Sequence, residues 1–271
     1  MRSAIIVIVL VTAALAGAGC AIDPAGDPVD DPAQSDEPQI GEARQELGSF
    51  GIWSWGCSSA PCALDLGLVA GQTCFLAGVW GNLQPAGSYT QVQVLQSGGH
   101  WGLQIVPSGH PLGGTAVCVP GNMVSSASWF SGQPEVSLGS GATRRCFLSG
   151  VINTSGFTAS SDFVQVRKVG SSWFLGGNMT SSKTVRAVAT CVDVPGAAND
   201  FGLVVSDGGS FLNVPIQDNN PWGWACGIKK LGGHFTTNSY NDGVWIGYNN
   251  GISMWELNAV NGKQTTTDCV K

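Results

Sequence analysis

Cys74-Phe-Leu-Ala-Gly-Val79 and Cys146-Phe-Leu-Ser-Gly-Val151 are one phrase written twice with a single change. Each phrase opens a unit that closes at a second cysteine followed by valine, Cys118-Val119 and Cys191-Val192. A third unit, Cys226 to Cys269-Val270, has about the same length but opens as Cys226-Gly-Ile-Lys-Lys-Leu231. The cysteine separations are 44, 45 and 43 residues. A valine recurs at one fixed offset from each opening cysteine (Val92, Val164, Val244), and a Trp-x-Leu triplet follows at Trp101, Trp173 and Trp255. Several landmarks in one order, three times over, identify internal repetition. The distance from one opening cysteine to the next exceeds the roughly 20–50 residues of the common solenoid and propeller families, so none of these is assigned.

Working outward from these units, every periodic stretch alternates. Thr90-Gln-Val-Gln-Val-Leu95 and Asp162-Phe-Val-Gln-Val-Arg167 read as strands, as do the segments from Trp101, Trp173 and Val244. Asn250-Gly251 is a hairpin signal. No stretch of the body carries a sustained helical period. The expected fold is all-β: three disulfide-stapled antiparallel β repeats of five or six strands over residues 49–120, 121–195 and 196–271. They either pack about a pseudo-threefold axis or follow one another as beads. A β-trefoil fits less well, because its subunits are shorter.

Cysteine number constrains the compartment. Of nine cysteines, eight lie beyond residue 50, an even set suited to an oxidising environment. Cys57 and Cys62 can close a small loop. The other six allow 15 pairings, which sequence alone does not decide. If the units arose by duplication, the most economical set lies within units: Cys74–Cys118, Cys146–Cys191 and Cys226–Cys269.

The ninth cysteine sits elsewhere. Residues 1–19 read as a signal peptide: Arg2, an apolar run from Ala4 to Leu15, then Ala16-Gly-Ala-Gly19 before Cys20. Residues 20–48 are acidic and proline-rich (Asp23-Pro-Ala-Gly-Asp-Pro-Val-Asp-Asp-Pro32) and are expected to form a disordered tether. Signal, lipobox-type cysteine and acidic spacer together resemble the front ends of myxobacterial exported lipoproteins. That resemblance implies lipidation at Cys20 and an outer-membrane or cell-surface address; the alternative is ordinary cleavage and secretion. It implies nothing about activity.

The residues that could carry chemistry are few. Residues 51–271 hold ten acidic and ten basic side chains, without the basic surplus of a nucleic-acid binder. Histidine occurs only at positions 100, 110 and 234, and no catalytic or phosphate-binding motif accompanies it. No catalytic residue, metal site or cofactor is therefore expected. Asp162, Asp242 and Glu256 are the carboxylates from which folding could build a glycosidase pair. Asp218-Asn-Asn220 and Asn238-Ser-Tyr-Asn-Asp242 read as turns before they read as calcium loops.

Tryptophan is the remaining lead, with ten in the chain. Trp101, Trp173 and Trp255 recur in every unit and read as core anchors. Trp53/Trp55 and Trp222/Trp224 do not recur, and residues two apart in a strand share a face. These pairs are the candidate ligand platform, suited to stacking on sugar rings. The expected function is non-catalytic binding or adhesion at the cell surface, with surface glycans or proteins as partners. The alternatives are an extracellular polysaccharide hydrolase and a structural envelope lipoprotein without ligand.

Overall fold

The structure, a computed structural model, describes residues 52–58, 60–84, 89–180, 184–194, 203–205, 214–215, 225–236, 243–249, 254–260 and 262–270. Of residues 52–55, 203–205, 214–215, 248–249 and 254–255 it describes the backbone alone. Residues 43–271 form one compact unit. Among the described residues all regular structure is β.

Each repeat supplies six strands. The first holds β1 (Ile52–Cys57), β2 (Cys62–Leu68), β3 (Gln72–Gly81), β4 (Thr90–Ser97), β5 (His100–Val106) and β6 (Leu112–Pro120). The second holds β7 (Met123–Phe130), β8 (Val136–Ser140), β9 (Arg144–Asn153), β10 (Phe163–Val169), β11 (Ser172–Asn178) and β12 (Val185–Asp193). The third holds β13 (Leu203–Val205), β14 (Val214–Pro215), β15 (Ala225–Gly232), β16 (Gly243–Asn249), β17 (Met254–Ala259) and β18 (Gln264–Val270).

These strands do not close repeat by repeat. They form three six-stranded antiparallel sheets, each built from two repeats. Sheet I runs β1-β6-β3-β16-β17-β14, sheet II runs β2-β5-β4-β9-β12-β7, and sheet III runs β13-β18-β15-β10-β11-β8. In every repeat the first, sixth and third strands stay in one sheet, while the second, fifth and fourth join the next. The fourth strand of each repeat then pairs with the third strand of its neighbour. The third repeat pairs back onto the first through β16 and β3, so the arrangement closes as a pseudo-threefold ring. Of the two expected arrangements the strands follow the pseudo-threefold one, with sheets shared between repeats, and not the row of beads. A single repeat has a thin interior of its own, and sharing sheets enlarges it.

The seams between repeats share one register. Val92 faces Val151, Val164 faces Leu231 and Val244 faces Val79. These side chains are all buried, which explains why a valine recurs at the same offset in each unit: it is the inward residue at the joint.

The opening strands β3, β9 and β15 meet along the axis. The residue after each opening cysteine points there. Phe75 and Phe147 stack with centroids 4.0 Å apart and planes 17° apart. The third equivalent is Gly227. A Cβ at this position would lie 2.5 Å from the Phe75 ring and 2.6 Å from that of Phe147, so two rings fill the axis and the third unit yields the room. The segments leaving the axial strands form a second plug of Leu83, Phe157 and Phe235, all fully buried. There the Leu83 amide donates to Phe235 O (3.0 Å) and the Phe235 amide to Phe157 O (3.1 Å).

The disulfides are Cys57–Cys62, Cys74–Cys118, Cys146–Cys191 and Cys226–Cys269. The three long-range bonds each join directly opposed residues on a repeat's third and sixth strands. Shortly past each opening cysteine the ladder bulges, at Ala77, Ser149 and Lys229. In the third repeat the bulge carries charge: the Lys229 ammonium lies 2.7 Å from the buried Asp268 carboxylate. Trp101 and Trp173 are buried, as expected of repeat-equivalent anchors. The Trp101 indole N–H donates to Gln72 O at 3.0 Å. The Trp255 side chain lies outside the described residues.

Candidate functional site

A closed ring of this kind has three outward sheet faces, and at each seam the same two backbone positions are presented. In sheet I the strand pair β3/β16 sets Trp80 opposite Gly243 and Trp245 opposite Gly78. Val79, Val244 and Ile246 are buried, so alternation along the strands turns both tryptophans outward. Each is half-buried. A Cβ at Gly78 would sit 2.7 Å from Trp245 Cβ, and one at Gly243 would sit 2.5 Å from Trp80 Cβ. The glycines thus leave the floor of the face open and the indoles lie across it, a pairing that shields strand glycines. As diagonal neighbours across antiparallel strands the two residues are spaced about 7–8 Å apart, a distance aromatic side chains can span. Asn258 is the direct partner of Trp245 on β17, and Glu256 lies opposite Gly247 on the same face. Asn258 and Glu256 are largely buried, at 6% and 9% exposed, so the two-indole shelf is backed by a carboxamide and a carboxylate.

The other two seams keep the backbone and change the chemistry. In sheet II Gln93 lies over Gly150 and Gln91 faces Ile152. The Gln91 amide donates to Gln93 Oε1 (3.2 Å) and Gln104 Oε1 (2.9 Å), a carboxamide cluster. In sheet III Phe163 lies over Gly232 and Gln165 faces Lys230. The ring is therefore not a trivalent presentation of one site.

The structure places the sequence-derived candidates as follows. Trp53 and Trp55 lie on edge strand β1, their side chains outside the described residues. Trp222 and Trp224 lie wholly outside them, as do Cys20, Asp218–Asn220, the 238–242 segment, Asp242 and the Asn250-Gly251 turn. Trp80 and Trp245 were missed as site residues. Their signal was present: their repeat equivalents are Ile152 and Gly232 for Trp80, and Gln93 and Gln165 for Trp245. They are unmatched tryptophans just as Trp53 and Trp222 are, but stand singly.

Asp162 and Glu256 are not brought together. Glu256 belongs to the sheet I face, whereas Asp162 is a buried loop organiser at the start of β10. Its carboxylate accepts from the amides of Thr158 and Ala159 (2.9 Å each), from the Thr180 amide (2.8 Å) and from the Thr180 hydroxyl. Burial alone would push this carboxyl up, but the Thr180 hydroxyl and amide, with the Ala159 and Thr158 amides, outweigh it and hold the pKa below the ordinary aspartate value. A depressed folded pKa gives stability that is present above the unfolded value, near 4, and is lost as pH falls through the folded pKa. Asp162→Asn removes the charge and turns a donor toward donors. It should lower stability at neutral pH by about 1–3 kcal/mol and flatten the loss between pH 6 and pH 3. Urea unfolding at both pH values checks this; an unchanged pH slope in the variant would refute the assignment.

His100 Nδ1 lies 3.0 Å from Asp65 Oδ2 at an exposed hairpin end. The Gly67 amide, then His100, lowers the Asp65 pKa. This pair ties β2 to β5, directly paired strands of sheet II. Among the described residues no group of three or more His, Cys, Asp or Glu side chains is placed to hold a metal. No family model, curated protein or solved structure matches the chain.

Proposed function

We propose that the chain is a non-catalytic, exported binding protein that takes a glycan on the outer face of sheet I. The observation that supports this is the Trp80/Trp245 shelf over Gly78 and Gly243, with Asn258 and Glu256 alongside. The apolar faces of a pyranose stack on indole faces, which is the contact this shelf offers. Glu256 is the one carboxylate on the described strands of sheet I, and glycoside hydrolysis needs a second across the sugar; binding is the reading the indole shelf supports best. Four disulfides suit an oxidising compartment. With the signal and acidic spacer they support export, with Cys20 as the lipid anchor at the outer membrane or cell surface.

A glycan array probed with the soluble body, residues 49–271, tests the reading. Trp245→Ala and Trp80→Ala should each weaken the best neutral glycan by about fivefold or more, because truncating a central aromatic costs over ~1 kcal/mol, with unchanged circular dichroism. No glycan retained by the parent, or equal retention by both variants, would remove the proposal.

A further inference from the structure

The basic side chains of the body are distributed unevenly, and topology decides where they collect. Residues 51–143 contain no lysine or arginine. Sheets I and II each draw three strands from this first repeat, and sheet III draws none. The strands of sheet I carry no basic residue, those of sheet II carry Arg144, Arg145 and Arg186, and those of sheet III carry Arg167, Lys168, Lys229 and Lys230. Lys229 is committed to Asp268. Lys168 sits at the β10–β11 hairpin end over the Trp173 ring, 5.5 Å from its centroid.

The other two cations share the outward face of sheet III. Lys230 and Gln165 are direct partners across the β15/β10 seam, and Arg167 lies two positions further along β10, diagonal to Lys230. The Lys230 ammonium stands 4.6 Å from the Phe163 centroid and the Arg167 guanidinium 5.7 Å from that of Phe174. Both rings are half-buried. Arg167 also makes a two-pronged pair with Glu135, Nε to Oε1 at 2.7 Å and Nη2 to Oε2 at 2.5 Å. Glu135 in turn lies over Gly176, where a Cβ would meet its Cγ at 2.5 Å. The face is thus a flat half-apolar strip with two cations diagonal to each other, Arg167 paired with Glu135 and Lys230 set over Phe163.

We infer that this face is a second binding site, for a carboxylated glycan, independent of the shelf on sheet I. A uronic acid polymer presents carboxylates along a chain whose sugar faces are apolar. It matches Lys230 and Arg167 in charge, Phe163 and Phe174 in apolar surface, and Gln165 as a bonding group between them. The carboxylate of the ligand replaces that of Glu135 at the Arg167 fork, a geometry the guanidinium favours. Two cations on a near-neutral body are too few for a nucleic-acid backbone, whose affinity grows with each phosphate neutralised.

The test uses the soluble body, a uronic acid oligosaccharide, and the same oligosaccharide with its carboxyls reduced to alcohols. The parent should bind the acidic form and not the reduced one, with affinity falling as salt rises. Lys230→Gln should weaken binding about three- to fivefold, and Glu135→Gln should strengthen it by a similar factor by releasing Arg167. Opposite signs from two solvent-facing substitutions are not produced by a structural defect. Trp245→Ala should leave this affinity unchanged, so failure here and failure at sheet I are separable. Equal affinity for the reduced oligosaccharide, the same sign for both substitutions, or tighter binding of a short DNA duplex would overturn the inference.

Discussion

Replacing Phe147 with alanine is expected to lower the free energy of unfolding by about 3–5 kcal/mol, the range for deleting a buried ring. The ring is fully buried and stacks on Phe75 where the axial strands of all three repeats meet. The surrounding strands are tied into three different sheets and cannot collapse into the space independently. The same geometry makes a stricter demand on Gly227, whose Cβ would lie within 2.6 Å of both rings. Gly227→Ala should therefore also destabilise, by about 1–3 kcal/mol through overpacking. Because the three positions are equivalent around the axis, two rings and one glycine is the rule, whichever repeat supplies the glycine. Phe147→Gly combined with Gly227→Phe should recover part of the loss of Phe147→Gly alone. Urea unfolding of the four variants checks the set. A cost below about 1 kcal/mol for Phe147→Ala, or no recovery in the double exchange, would mean that the axis is not a shared core.

Removing Cys146–Cys191 as a pair, with alanine at both positions, is expected to cost about 4 kcal/mol in the loop-entropy model for a closure of this length. The topology gives the bond its role. Between Cys146 and Cys191 the chain leaves sheet II, supplies the β10–β11 hairpin to sheet III, and returns as β12 to pair with β9. The disulfide closes the base of that excursion. In the unfolded chain it keeps the donated hairpin near the strands it must return to, which limits the conformations that folding has to eliminate. Cys74–Cys118 and Cys226–Cys269 do the same for the hairpins β4–β5 and β16–β17. Both sulfur-bearing residues of the central pair are fully buried, so mild reductant should leave the folded protein intact, and reduction should follow unfolding. Melting temperature of the paired variant, and thiol titration of the native protein in reductant, measure the two expectations. A variant as stable as the parent would show that the staple is dispensable.

Several elements were legible in the residues alone. The opening phrase at Cys74 and Cys146, the recurring valine and the Trp-x-Leu triplet mark strands because alternation and cysteine spacing are local properties. β2 and β8 were not picked out, being partly exposed and without a repeated landmark. The ligand candidates were sought among tryptophans two apart in sequence. The pair that the fold presents, Trp80 and Trp245, comes from the first and third repeats and is joined only by strand pairing. Its trace in the sequence is indirect: a large aromatic in one repeat where a sister repeat has glycine or glutamine, and a glycine where it will be faced.

What the sequence by itself determined is that this chain repeats three times, that each repeat is β, and that an even number of cysteines in the body suits an oxidising compartment. These follow from spacing, periodicity and composition, which are properties of short stretches of chain. What the tertiary structure alone decided is the exchange of strands between repeats, the two-ring axis, and the different residues set at the three seams: an indole pair, a carboxamide cluster, and a lysine beside a phenylalanine. A period-two strand carries the same pattern whichever neighbour it joins. The choice of partner is made by burial and shape across the seam, where one repeat's aromatic meets another's glycine, and no single repeat contains both.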